Sequence, residues 1–216
     1  MERRESLIGV YGGTFDPIHL GHVHLLQSLL KTGLFKKILV VPAKQNPLKN
    51  SPSKIPDDLR LKMLEASLQE MGDSRLEIWD GELKRNGLSY MKDTLRELSQ
   101  GQTGELTLIM GNEVFKEFYR WKEPETIIKL ANLAIVQRTG ESVDIKSILE
   151  PCQLAPNSNS FHWMKIFKIN ALPHSATQIR ENLAKTWKSG DLSKTPHGIQ
   201  RSVWLVIKEN QLYAVN

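Results

Sequence analysis

The chain alternates between short apolar runs and longer stretches whose apolar residues recur at helical spacing. Leu7 to Tyr11 is the short kind, the pattern of a buried strand, and it breaks at Gly12-Gly13. Beyond a turn at Asp16-Pro17, Val23, Leu26, Leu29 and Leu30 recur as on a helix that ends near Gly33. Ile38-Leu39-Val40-Val41 is a second buried run, stopped by Pro42. Strand, helix and strand at this spacing predict a right-handed βαβ unit and a parallel sheet.

The same alternation continues. A helix is expected over 57–71 with Leu59, Met63, Leu64 and Leu68 inward, and a third strand over 75–79. Ser89 is a candidate N-cap for a helix running to about 99. A fourth strand over 106–110 leads through Gly111 to a helix with Val114, Phe115 and Phe118, and then to another helix over 124–130. A fifth strand is expected over 133–136 and a sixth over 164–169, with helices after Ser175 and over 198–210. The pattern predicts an α/β fold, a Rossmann-like doubly wound parallel sheet of about six strands with helices on both faces. No repeat or linker divides it, so residues 1–216 are expected to form one domain, with a helical part from about 174. Between 139 and 163 the periodicity fades into a loop rich in Pro, Asn and Ser, long for such a domain.

Composition narrows the class. At 40% hydrophobic and 25% charged residues the chain is expected to be globular rather than disordered. An excess of 29 Lys and Arg over 24 Asp and Glu suits an acidic small molecule. It is too diffuse, without interleaved aromatics, to point to nucleic acid. Cys152 is the only cysteine, which excludes an internal disulfide and fits a reducing compartment. No run approaches the ~18 apolar residues of a spanning helix, and no h-region follows Met1-Glu2-Arg3-Arg4. The expectation is a cytoplasmic protein with no membrane partner.

Candidate chemistry begins where the first strand breaks, in Gly12-Gly13-Thr14-Phe15-Asp16-Pro17-Ile18-His19-Leu20-Gly21-His22. A strand, a glycine turn and a helix start aim backbone N–H groups at an anion. Gly12 and Gly13 permit positive φ and a close approach of the main chain to a ligand. His19 and His22, three apart, share a helix face and can donate to phosphate oxygens. Taken alone, the pair also fits surface residues or metal ligands. No GxxxxGK[ST] is present, and the spacing does not fit GxGxxG. Two further segments suit phosphate: the lysine-bearing loop after the second strand (Lys44, Lys49, Lys54), and Ser175-Ala176-Thr177 with Arg180 at a helix start. Their plainer readings are a solvated linker and a simple cap.

The Gly12 to His22 stretch resembles the signature of the nucleotidyltransferase superfamily, whose HxGH element grips a nucleoside triphosphate. Ser175, Ala176, Thr177 and Arg180 resemble its second motif, of SSTxxR type. Over roughly residues 7 to 213 the chain is similar to the bacterial nicotinate mononucleotide adenylyltransferase family. The resemblance rests further on His19, on Asn46-Pro47-Leu48-Lys49, on Ser89-Tyr90-Met91-Lys92-Asp93-Thr94 against the family's SYTxDT, and on Trp121. Met91 replaces a Thr, Glu113 an Asp and Ala176 a Ser.

That resemblance implies adenylyl transfer from ATP to nicotinate mononucleotide in NAD biosynthesis. His19 and His22 would be catalytic. Gly12, Gly13, Thr14, Phe15, Ser175, Thr177 and Arg180 would bind ATP. Lys49, Tyr90, Met91, Asp93, Thr94 and Trp121 would bind the mononucleotide. Mg²⁺ would arrive with ATP rather than on a protein metal site. Two rivals stay open: the same reaction on nicotinamide mononucleotide or another phosphorylated acceptor, and a non-catalytic nucleotide- or RNA-binding module. The oligomeric state is open too, a homodimer included.

Overall fold

The structure, a computed structural model, describes residues 7–48, 53–138, 144–150, 164–170, 172 and 174–214. Six strands alternate with helices in chain order: β1 (Leu7–Gly13), α1 (Leu20–Lys31), β2 (Phe35–Pro42), α2 (Asp57–Met71), β3 (Leu76–Ile78), α3 (Gly81–Lys84), α4 (Met91–Gly101), β4 (Leu106–Gly111) and α5 (Asn112–Lys116). A 3-10 turn, Phe118–Arg120, leads to α6 (Pro124–Leu130) and β5 (Asn132–Arg138). Then follow α7 (Ile145–Leu149), β6 (Met164–Ile169), α8 (Ala176–Ser189) and α9 (Arg201–Glu209). The strands form one sheet in the order β3-β2-β1-β4-β5-β6, every neighbouring pair parallel. This is the expected doubly wound α/β sheet.

Both faces are covered, which is why the strands read as unbroken apolar runs. Along β2, Ile38 and Val40 join a core with Leu26 and Leu29 of α1, Met63 and Leu64 of α2, and Val203 and Ile207 of α9. Leu39 and Val41 point to the opposite core, with Leu95 and Leu98 of α4, Phe115 of α5 and Ile127 of α6. Each fully buried Leu or Ile contributes about 1.5–3 kcal/mol, so the two cores fix which face each helix takes. Helix ends follow local chemistry: α2 stops at Gly72 in the left-handed region (φ 65°), and α8 at Gly190 (φ 71°).

Chain order places the site. The sheet grows in one direction from β1 through β2 and in the other through β4, so a crevice opens beyond the carboxyl ends of β1 and β4. Those ends carry Gly12-Gly13 and Gly111-Asn112.

Candidate active site

A cleft of about 850 Å³ occupies that crevice. Its walls include Gly12, Gly13 and Thr14 from β1 and its turn, His19 and His22 from α1, and Asn112 from α5. Gly12 and Gly13 do not use the positive φ open to them. β1 runs straight through both, and the left-handed residue is Phe15, at φ 47°. The glycines are needed for room. A Cβ on Gly12 would meet Met91 Cε at 2.9 Å, and one on Gly13 would meet the Phe15 ring at 2.8 Å. Phe15 is accordingly buried, edge-on to His22 at 5.2 Å, and packs behind the site rather than lining it.

The two histidines are the cap of α1. His19 is the N-cap, and its Nδ1 accepts the Gly21 N–H at 3.2 Å. His22 reaches back, its Nδ1 accepting the His19 N–H at 3.2 Å, which closes a capping box. The rings stack with centroids 3.8 Å apart. A ring nitrogen that accepts a backbone N–H carries no proton, so each neutral imidazole keeps its proton on Nε2. Burial lowers the His19 pKa to about 4, and the nearby His174 adds to the effect. His19 is therefore a neutral donor at ordinary pH.

This corrects the expected use of the helix start. The Leu20 N–H is taken by the Gly198 carbonyl at 2.8 Å and the Gly21 N–H by His19. The imidazole Nε2–H groups thus replace the backbone as the donors this helix offers.

Ser175 caps α8 as expected, its Oγ accepting from the Gln178 N–H. Arg180, one turn on, donates through Nη1 to the Asp16 carbonyl at 2.9 Å and through Nη2 to Thr177 Oγ1 at 3.3 Å. The two motifs lie 164 residues apart in sequence and meet at the β1–α1 turn. Ser175 and Thr177 are exposed beside His174, which lines the cleft. Arg60, fully buried, props the turn from below by donating to the Thr14 carbonyl at 2.6 Å while pairing with Asp57.

On the opposite wall are Tyr90, Met91 and Trp121. Trp121 leans on Phe118 at 5.6 Å, and Lys122 lies 4.7 Å over the Tyr90 ring. Ser89 does not cap α4. The N-cap is Tyr90, no side chain caps the helix, and its free N–H groups begin at Met91. The Ser89 hydroxyl instead accepts the Lys44 N–H at 3.1 Å and also bonds Glu82. Lys44 is likewise spent on structure, its Nζ donating to the Leu83 and Arg85 carbonyls.

Asp93 and Thr94 do not line the cleft. Thr94 is fully buried, donating to Glu82 Oε1 at 2.5 Å and accepting from Arg85 Nη2 at 2.5 Å. Asp93 faces Arg96. Glu82, which sequence reasoning missed, is buried in the cleft wall, and burial raises its pKa against the bonds from Thr94 and Ser89. Its place inside the polar stretch Glu82 to Thr94 was the available signal. Lys49 lies outside the described residues, as do 139–143 and 151–163 of the stretch expected to be a loop, while α7 occupies 145–149 of that stretch.

Sequence comparison gives the family. A family model, cytidylyltransferase-like, matches residues 10–182. A Leptospira interrogans protein described as "Probable nicotinate-nucleotide adenylyltransferase" is 30% identical over 211 residues, 96% of this chain and 97% of that one. A Coxiella burnetii protein of the same description is 32% identical over 217 residues, spanning 96% and 98%. The chain belongs to this family. Within the nicotinate-nucleotide adenylyltransferases the fold extends further: the Plasmodium falciparum nicotinic acid mononucleotide adenylyltransferase solved with NaAD superposes with a TM-score of 0.70 at 21% identity, covering 96% and 97% of the two chains. Among the described residues no helix is long and apolar enough to cross a membrane, and no three His, Cys, Asp or Glu cluster as metal ligands.

Proposed function

We propose that the protein transfers the adenylyl group of ATP to nicotinate mononucleotide, giving deamido-NAD and pyrophosphate. The observation that carries the reading is the stacked His19–His22 pair, held as two Nε2–H donors at the switch point of the sheet. Two neutral, rigid donors suit an α-phosphate whose charge grows in the transition state.

In the reaction an oxygen of the acceptor's 5′-phosphate forms a bond to the α-phosphorus, in line with the leaving oxygen. The bond from that phosphorus to the bridging β-phosphate oxygen breaks, and the electron pair leaves with pyrophosphate. No protein nucleophile is required. The protein supplies proximity and fixed donors. His19 and His22 hold the α-phosphate, and Ser175, Thr177 and Arg180 hold the β- and γ-phosphates from the α8 start. Tyr90, the first N–H groups of α4 and Trp121 receive the pyridine mononucleotide. Asp93 and Thr94 support that wall without touching substrate, and the family resemblance gives Lys49 an assisting role. Mg²⁺ enters with ATP, coordinated chiefly by phosphate oxygens and water, as its hydration chemistry favours. A single cysteine, which fits a reducing compartment, supports a cytoplasmic location.

The test is pyrophosphate release with Mg·ATP and each of nicotinate mononucleotide, nicotinamide mononucleotide and phosphopantetheine. Release should be fastest with nicotinate mononucleotide. Release with none of them would leave a binding module, and fastest release with another acceptor would move the substrate assignment.

A further inference from the structure

The segment that follows α9 returns to the active-site turn. Gln211 and Tyr213 both take left-handed backbone, at φ 50° and 62°, a conformation that non-glycine residues keep only where their surroundings hold it. The Leu212 N–H donates to the Ile207 carbonyl at 3.0 Å, and the Leu212 carbonyl accepts from Trp187 Nε1 of α8 at 2.8 Å. Leu212 itself is buried in the α1-side core. The resulting hook carries the Tyr213 hydroxyl to Asp16, where it donates to Oδ1 at 2.6 Å. The other carboxylate oxygen accepts from Ser53 Oγ at 2.7 Å, and the Asp16 main-chain carbonyl accepts from Arg180. Asp16 is three residues before His19.

We propose that Tyr213 is a positioning residue for triphosphate binding, acting through Asp16. One helix, α8, meets the β1–α1 turn twice: directly from Arg180, and through Trp187, the hook and Tyr213. The first link fixes the guanidinium that the proposed function assigns to the phosphate tail. The second fixes the turn that guanidinium rests on. With the hydroxyl gone, Asp16 keeps Ser53 but loses its second side-chain donor, and the turn can slide relative to Arg180. A partly buried tyrosine ring that only anchored the hook would need no hydroxyl on Asp16, so loss of the hydroxyl alone separates positioning from packing.

The inference rests on the proposed binding of ATP, and its test reads that binding without the acceptor. Mg·ATP affinity is measured by calorimetry for the wild type, Tyr213→Phe, Asp16→Asn and the double variant, with melting curves for each and KM and kcat where turnover is present. Tyr213→Phe should weaken ATP binding and raise the ATP KM about tenfold, the scale of one hydrogen bond to a charged group, with kcat changed less than threefold. The double variant should be no weaker than the poorer single, because both changes weaken the same link. A lowered melting temperature with unchanged ATP affinity and KM overturns the proposal, as do fully additive effects. If Tyr213→Phe does not fold, Asp16→Asn, which replaces the charged acceptor of the same bond by a neutral one, decides on the same readouts. Wild-type protein that fails to bind Mg·ATP would instead refute the proposed function.

Discussion

The His22 ring stacks on the His19 ring at 3.8 Å, and each closes half of the capping box that begins α1. One pair of side chains therefore ends a helix and furnishes two donors. The dual role makes alanine a poor probe, because it removes a cap worth ~1 kcal/mol together with the donor.

Asparagine separates the two. Asn is a good N-cap, so His19→Asn should keep most of the stability while losing the Nε2–H, and His22→Asn is the matching change at the other ring. Turnover should fall about a hundredfold in His22→Asn, and less in His19→Asn, with the ATP half-saturation moving only a few-fold. Steady-state kinetics with ATP varied checks this. Near-normal turnover in both variants would remove the histidines from catalysis.

Arg180 joins phosphate binding to the turn it rests on. Arg180→Ala should raise the ATP half-saturation about ten- to a hundredfold, the scale of a lost charge-assisted hydrogen bond. Arg180→Lys should recover part of this, since a point charge cannot serve the Asp16 carbonyl and a phosphate in one plane. An ATP titration with unchanged half-saturation in Arg180→Ala would place this guanidinium outside the site.

The His19 pKa sets an acid limit on stability. Its folded value of about 4 lies below the unfolded ~6.5, so the unfolded chain takes up the proton first as pH falls. The contribution of the neutral ring is thus complete above pH ~6.5 and is lost on going down to about 4, on the order of 3 kcal/mol in all. Unfolding curves for wild type and His19→Asn between pH 4 and 8 should differ in slope within that window only. Parallel curves would mean that burial does not hold the ring neutral.

Much of this was legible in the sequence because it is local. The β1 run, the Leu26 and Leu29 stripe of α1 and the Ser175 cap each depend on residues within a turn or two, and each lies where the pattern put it. What was missed depends on contacts across the chain or on competition. Ser89 has the chemistry of a cap, but its hydroxyl is claimed by Lys44 and Glu82, and α4 starts two residues later. Thr94 sits in a motif that suggested substrate contact, yet its hydroxyl closes a buried bond to Glu82. The four-residue α3 is too short to show a period, and a histidine as N-cap is too uncommon to read from spacing alone.

The acceptor preference follows from α4. The helix begins at Met91 with no side-chain cap, and Met91 lines the cleft at the positive end of the helix dipole. A nicotinate carboxylate gains charge-assisted hydrogen bonds there, whereas a nicotinamide amide brings its own N–H₂ against those donors. The Met91 side chain carries no hydroxyl, and its methyl is turned toward Gly12, so any preference rests on backbone donors. Glu82 lies in the same wall, and its tie to Thr94 and the nearby Arg85 limit the charge it shows a carboxylate. A hydrogen bond to a charged group contributes ~1.5–3 kcal/mol, so nicotinate mononucleotide should be preferred by about ten- to a hundredfold in kcat/KM. Trp121 can stack on either ring, and Trp121→Ala should weaken both acceptors alike. Glu82→Gln, by removing a negative charge from the wall, should widen the preference for nicotinate. Competition assays with both mononucleotides at saturating Mg·ATP measure the ratio directly. A ratio near one, or a Glu82→Gln variant that favours nicotinamide, would show that the α4 start is not where the carboxylate binds.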